Sequence, residues 1–304
     1  MAVAKGWVYR VNKYEKEIKE LLKKNKLPFT TVKLLGNGES HVNYRADKYL
    51  IRRDILGKSK KKNSYEIEIL TELKPYNIAP KPICANDKYK VLEYIPGQTL
   101  EKIPPIEYDV KKLARNVATL HNLPIKKKGY YSMKDFRKLN ADMCKGIIQF
   151  HPNLTFLNIK FTIPKTTQTF CHNDLCKPNI LSNYKIIDWE TSGLNDPAMD
   201  ISILFIELQL TKKQQKDFLT EYYLFRTDSS LEDRMKFTNR FVIYGGYVGV
   251  LLAYLNIKNR IGDKDYLESA NLEEYWDWQL YYLKLMIKEK LISKDEAKII
   301  RGLK

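Results

Sequence analysis

Residues 170–188 constrain this chain more than any other stretch. His172, Asp174 and Asn179 stand in an H-x-D-x4-N pattern, and Asp188 closes an apolar run that contains Ile186 and Ile187. The segment reads as a polar loop, a short hairpin and a strand that ends in a second acid. Phosphoryl transfer needs that inventory. One carboxylate must orient an attacking hydroxyl and accept its proton, while an amide and another carboxylate hold magnesium on nucleotide phosphates. Asp174 fits the first role, and Asn179 and Asp188 fit the second. His172 is expected to brace the loop.

The rest of the chain supplies two kinds of scaffold. At 304 residues it is long enough for one large or two ordinary domains, and 44% hydrophobic content allows a substantial core. Early on, short strands are expected over 29–35, 42–46, 49–51 and 88–94, around one helix over 64–73 in which Ile67, Leu70 and Leu73 are periodic. Gly36 to Ser40 forms a tight polar turn, either laid over phosphates or serving only as a hairpin turn. Pro96 and Gly97 break the pattern and mark a lobe boundary. Beyond them the chain reads as mostly helical, with helices expected over 110–122, 201–210, 212–225, 235–255 and 272–291. A small mixed lobe, 1–95, is thus expected ahead of a large helical one, 96–304, with ligands bound in a cleft at their junction.

Composition narrows the setting. Cys84, Cys144, Cys171 and Cys176 show no C-x2-C pairing, so a reducing, cytoplasmic setting is expected and a structural zinc site is not. The first ten residues lack the apolar core of a signal peptide. The uncharged run 241–257 includes Gly245, Gly246, Gly249 and Asn256 and reads as a buried helix, so no transmembrane segment is expected. The net charge is +17, but the lysines are spread along the chain. No specific nucleic-acid partner is expected; weak attraction to anionic surfaces is.

With these motifs in place the chain resembles the aminoglycoside phosphotransferase and choline kinase superfamily. Leu50-Ile51-Arg52, Leu92 through Gly97, and Leu113-Ala114 through Leu120-His121 match it in order. Asp188-Trp189-Glu190, Gly193 through Pro197, and Asp200-Ile201 resemble the bacterial choline and ethanolamine kinases. The resemblance runs roughly over 29–205. It implies an α+β, bilobal protein-kinase-like fold, with a small antiparallel-sheet lobe carrying one helix and a larger helical lobe. It implies ATP and Mg2+ as cofactors, and a small-molecule alcohol acceptor, choline or ethanolamine; the alternatives are an aminoglycoside, thiamine, homoserine or a sugar as acceptor, or a nucleotide-binding pseudokinase module.

The same resemblance carries residues over. Arg52 would hold nucleotide phosphates and pair with a helix glutamate, Glu66 or the nearby Glu68. Glu93, Tyr94 and Ile95 would form the nucleotide hinge, and Ser40 would belong to the phosphate turn. Glu190 would approach the metal or the acceptor. An aromatic pocket in the helical lobe would hold a quaternary ammonium, with Tyr247 and Trp276 as candidate walls among 21 Tyr, 11 Phe and 4 Trp. Asp200 is expected to tie the loop backbone, and His121 to pack or cap near a helix end.

Overall fold

The computed structural model describes residues 14–37, 41–54, 60–129, 131–162, 168–262, 267 and 270–304. They form two compact units, Met1–Ile103 with Pro178–Glu190, and Pro104–Lys177 with Thr191–Lys304. The sequence reading drew a single boundary after residue 95. The first unit instead runs to Ile103 and includes a segment from the second half of the chain.

In the first unit a helix over residues 14–24 (α1) precedes β1 (Lys33–Asn37), β2 (His41–Ala46), β3 (Tyr49–Asp54), α2 (Lys60–Leu73), β4 (Pro82–Ala85) and β5 (Tyr89–Glu93). The strands form one antiparallel sheet in the order β1-β2-β3-β5-β4. Side chains alternate across a strand. Val42, Tyr44, Ala46, Tyr49, Ile51, Tyr89 and Val91 therefore share an apolar face, buried with Ile18 and Leu22 one turn apart on α1. The opposite parity carries Arg52 and Lys90, directly paired across β3 and β5. On α2, Ile69, Leu70 and Leu73 are fully buried, and the helix packs on β4 and β5. Strand β4 was not foreseen, because it opens with a proline at the sheet edge and so carries a weak strand signal.

Residues 178–190 are stitched to this unit by main-chain bonds. Leu100 N donates to Ile180 O, Ser182 N to Gln98 O and Ile186 N to Ile78 O, each at 2.8 Å. Gly97 adopts φ +131°, and a Cβ there would lie 2.8 Å from Ser182 Oγ, so the close approach requires glycine.

The second unit contains α3 (Val110–His121), α4 (Met133–Phe150), a short ribbon of β6 (Thr169–Cys171) and β7 (Gly193–Asn195), then α5 (Pro197–Glu207), α6 (Lys212–Phe225), α7 (Leu231–Lys258), α8 (Leu272–Lys288) and α9 (Lys294–Arg301). Capping boxes start three of them, Ser132 with Asp135, Thr211 with Gln214, and Ser293 with Glu296. Helix α5 begins earlier than the expected 201, because Asp196 caps it and Pro197 occupies its first turn. Helix α7 contains the uncharged run. It is long and apolar enough to cross a membrane, yet 56% of its most apolar window is buried within the protein. It packs against α4, α5 and α8. A Cβ on Gly246 would lie 2.4 Å from the Tyr282 ring, so glycine lets α8 approach closely.

Candidate active site

The loop after β6 is held by one buried acid. Asp200, in the first turn of α5, accepts from His172 N at 2.7 Å and from Asn173 N at 2.6 Å. Its Oδ2 also lies 3.2 Å from His121 Nε2, and His121 Nδ1 lies 2.8 Å from the Tyr222 hydroxyl. Asn173 takes φ +68°, and its amide joins Thr191 O and Asn195 Nδ2. Asp174 N then donates to His172 Nδ1 at 3.2 Å. These bonds fix the backbone that leads into Asp174, whose side chain is half-buried. Asp200 thus ties the loop backbone, as the sequence suggested, and His121 is packed at the end of α3, where it meets Asp200 and Tyr222.

Asn179 sits in the 3-10 turn Lys177–Asn179, 8% exposed. Its carbonyl accepts from Ile187 N at 2.9 Å, which closes the hairpin that leads to Asp188. Asp188 adopts φ +65°, a backbone state few side chains tolerate. Its carboxylate takes a two-pronged contact from Arg52, with Nη1 to Oδ1 and Nη2 to Oδ2 both 3.1 Å. Burial opposes the Asp188 charge, but the Arg52 charge and hydrogen bonds outweigh it, helped by Lys90 and His41. The carboxyl is held well below the usual carboxylate range.

Arg52 meets a helix glutamate as well as Asp188. Glu66 is 1% exposed and lies 3.5 Å from Arg52 Nη1, while Glu68 is exposed; Glu66 is therefore the helix glutamate of this cluster. Its close partner is Lys90, which is completely buried on β5 and bonds Glu66 Oε2. Trp189 N donates to Glu66 Oε1 at 3.2 Å. Burial disfavours the charged Glu66, but Lys90 and then Arg52 overcome that, and its carboxyl is lowered. Lys90 was missed. Its signal was a lysine inside the apolar strand 89–92 on the same parity as Leu92, which points inward. Glu190 is half-buried, and its charge also acts on Arg52.

His41 closes the cluster, with Nδ1 3.4 Å from Arg52 Nη2. Burial, then Arg52 and Lys90, lower its pKa to about 4, so it is neutral at pH 7. Ser40 lies outside the described residues. At the hinge, Glu93 N donates to Lys81 O and Tyr94 N to Lys48 O, both at 2.8 Å. The Arg45 guanidinium lies 4.2 Å above the Tyr94 ring, and Ile95 is half-buried.

The two aromatic candidates need correction. Tyr247 is 0% and Trp276 4% exposed, and both belong to the apolar core of the second unit; Trp276 lies 4.9 Å from Tyr254, ring to ring. Both rings hold helices together; Tyr247 is sealed in the core, and the Trp276 ring has Lys304 Nζ 6.0 Å from its centroid. Two and five residues further along α8, Trp278 and Tyr281 are half-buried, with the buried Tyr282 next to them. Tyr281 lies 5.7 Å from Trp278 and 5.4 Å from Tyr282, both edge to face. The Tyr282 hydroxyl donates to Glu207, whose carboxyl is raised by burial against the opposing effects of that bond and of Lys177. Lys177 Nζ stands 5.9 Å over Trp278, so this ring already attracts an ammonium group.

Comparison with known proteins agrees with this geometry. The chain matches the phosphotransferase enzyme family over residues 31–237. Over 61 residues it is 46% identical to protein LicA of Haemophilus influenzae, a stretch that covers 19% of this chain and 22% of that protein. The chain thus spans about a fifth of the curated relatives it matches. Choline kinase LicA from Streptococcus pneumoniae shares the fold at 18% identity and a TM-score of 0.58, over 88% of this chain and 98% of that one. A gentamicin complex of APH(2")-IIa does so at 16% identity and a TM-score of 0.64, over 92% and 97%. An α+β fold, a braced H-x-D-x4-N loop and a family match over two thirds of its length lead to one conclusion: the chain belongs to the phosphotransferase enzyme family.

Proposed function

We propose that this phosphotransferase moves the γ-phosphoryl group of ATP to the hydroxyl of choline or ethanolamine, in the cytoplasm. The observation that carries the acceptor is the pair of half-buried rings Trp278 and Tyr281 beside Glu207, with the buried Tyr282 holding Glu207 in place. Aromatic faces beside a carboxylate suit a cation that also bears a hydroxyl, and the Lys177 ammonium over Trp278 is a local precedent. The name of the Streptococcus pneumoniae neighbour, choline kinase LicA, points the same way.

Each residue then has a defined task. Asp174, with its backbone fixed by Asp200 through His172 and Asn173, orients the acceptor hydroxyl and takes its proton. Arg52 holds phosphate oxygens through its fork, and Glu66 and Asp188 keep that fork aligned. Glu93, Tyr94 and Ile95 receive the base, and Glu190 adds negative charge near Arg52. Asn179 and Asp188 offer a neutral and a charged oxygen, and the depressed Asp188 carboxyl is ionised at every working pH; this donor set fits magnesium. Bound there, Mg2+ would neutralise charge on the phosphates.

The test is ADP release from ATP and Mg2+ with choline, ethanolamine, gentamicin and glucose in parallel. Choline or ethanolamine should be turned over fastest, and Trp278→Ala should raise KM for choline about five- to thirty-fold, the equivalent of about 1–2 kcal/mol. Turnover of gentamicin or glucose alone would discard the acceptor and leave the kinase standing.

A further inference from the structure

A second basic site lies in the helical unit, away from the loop that carries Asp174 in sequence. A cavity of about 570 Å³ lies between α4, residues 158–162 and α7. Its α4 wall is built at helical spacing: Lys134, Arg137 and Lys138 fall at i, i+3 and i+4 and share one stripe. Lys160 faces them from the following segment. Lys138 pairs with Asp142 at 2.6 Å, but among the described residues Lys134, Arg137 and Lys160 enter no ion pair. Three cations lining one cavity without an acid repel one another, and an anion would relieve that repulsion.

Two further features distinguish this place from general surface charge. Asn140 lines the cavity, is 5% exposed, and makes no side-chain hydrogen bond among the described residues. Its amide keeps access to solvent in the cavity, so its N–H is available to a ligand oxygen. Gly245 makes room for it, since a Cβ there would lie 2.9 Å from Asn140 Nδ2. The other wall is apolar. Phe161 is half-buried and packs 5.5 Å from Phe241 and 5.2 Å from Tyr244, ring to ring. The volume falls within the range of small-molecule pockets, about 300–1,000 Å³, and exceeds what a bare ion needs.

We propose that this cavity binds a phosphate monoester that carries an apolar or ring-bearing group. Arg137 would fork onto the phosphoryl oxygens, Lys134 and Lys160 would add charge, Asn140 would donate, and Phe161 would meet the apolar part. The same phosphoryl chemistry is offered by a soluble ester and by the headgroup of phosphatidic acid.

The experiment uses the full chain, and the variants of Arg137, Lys160 and Asn140 separate this cavity from the nucleotide-phosphate contact expected at Arg52. Calorimetric titration with phenyl phosphate, without magnesium, reads the soluble arm. Sedimentation with phosphatidylcholine vesicles, with and without phosphatidic acid, reads the lipid arm. Arg137→Gln with Lys160→Gln should weaken binding at least about tenfold in one arm. Asn140→Leu should weaken it in that arm without changing charge. Lys213→Gln with Lys216→Gln, an equal charge loss on exposed positions of α6, should leave it unchanged. The arm that responds identifies the source. Absence of binding in both arms, or an equal effect of the α6 control, overturns the proposal. Thermal melting of each variant confirms that these mostly exposed substitutions leave the fold intact.

Discussion

At the residue scale, two cations stand side by side on β3 and β5, and one acid decides what each can do. Arg52 and Lys90 are cross-strand partners, so without Glu66 they would repel across a buried face. Lys90 takes Glu66 as its close partner, which leaves the Arg52 fork to reach Asp188. Removal of one member of a buried pair leaves an uncompensated charge and costs about 3–5 kcal/mol. Lys90→Met should therefore destabilise the chain by that order in urea unfolding, and adding Glu66→Gln should recover part of the loss. If Lys90→Met alone is neutral, Glu66 is satisfied without it. The same scale holds the clearest chemical prediction. Asp174→Asn should lower kcat by a factor of about 10²–10⁴ with nucleotide affinity nearly unchanged, read by steady-state kinetics beside nucleotide titration. Near-normal turnover would remove Asp174 as the proton acceptor. Asp174, Asn179 and Asp188 were legible because their spacing is local. Lys90 was not, because pairing with a residue 24 positions away is set by the sheet and α2 together.

At the element scale, α7 shows how composition and packing divide the work. Its uncharged run announced burial, but only the packed helices show what the glycines are for. Gly246 faces the Tyr282 ring on α8 at a distance no Cβ tolerates. Gly246→Ala should force α8 outward and cost about 1–3 kcal/mol, despite alanine's better helix propensity. A thermal melt separates the two effects, since a raised Tm would mean that propensity wins. Tyr282 also bonds Glu207 beside Trp278, so this variant should raise KM for the acceptor more than KM for ATP. Trp276 sits on the same helix as the half-buried Trp278 and Tyr281 and differs from them in the side it faces, while Tyr247 is buried on α7. Aromatic content drew attention to α7 and α8 and could not say which rings remain open.

At the scale of the whole molecule, buried titratable groups set the response to acid. His41 has a folded pKa of about 4 against an ordinary 6.5. Between those values the unfolded chain binds a proton that the folded chain does not, so stability rises with pH. His41 therefore contributes stability that is full above pH 6.5 and is lost as pH falls towards 4, up to roughly 3 kcal/mol. Asp188 and Glu66 have lowered carboxyl values and add to the loss at lower pH, in the same direction. Urea midpoints of the metal-free protein should fall steadily from pH 7 to pH 4, and His41→Gln should flatten that slope above pH 4.5. An unchanged slope would mean that His41 titrates normally in the folded chain.

The sequence by itself determined whatever depends on near neighbours along the chain. That includes the H-x-D-x4-N loop, the acid that ends the hairpin, the periodic helices and the alternating β2 and β3. Helix starts were equally local, since Ser132 and Asp135 bond within one turn, although α4 itself went unnamed among the helical stretches. The tertiary structure alone decided which acid meets which cation, where residues 178–190 pack, and which aromatic rings keep an accessible face. Burial and ion pairing depend on residues far apart in the chain, and no local pattern of spacing or propensity carries that information.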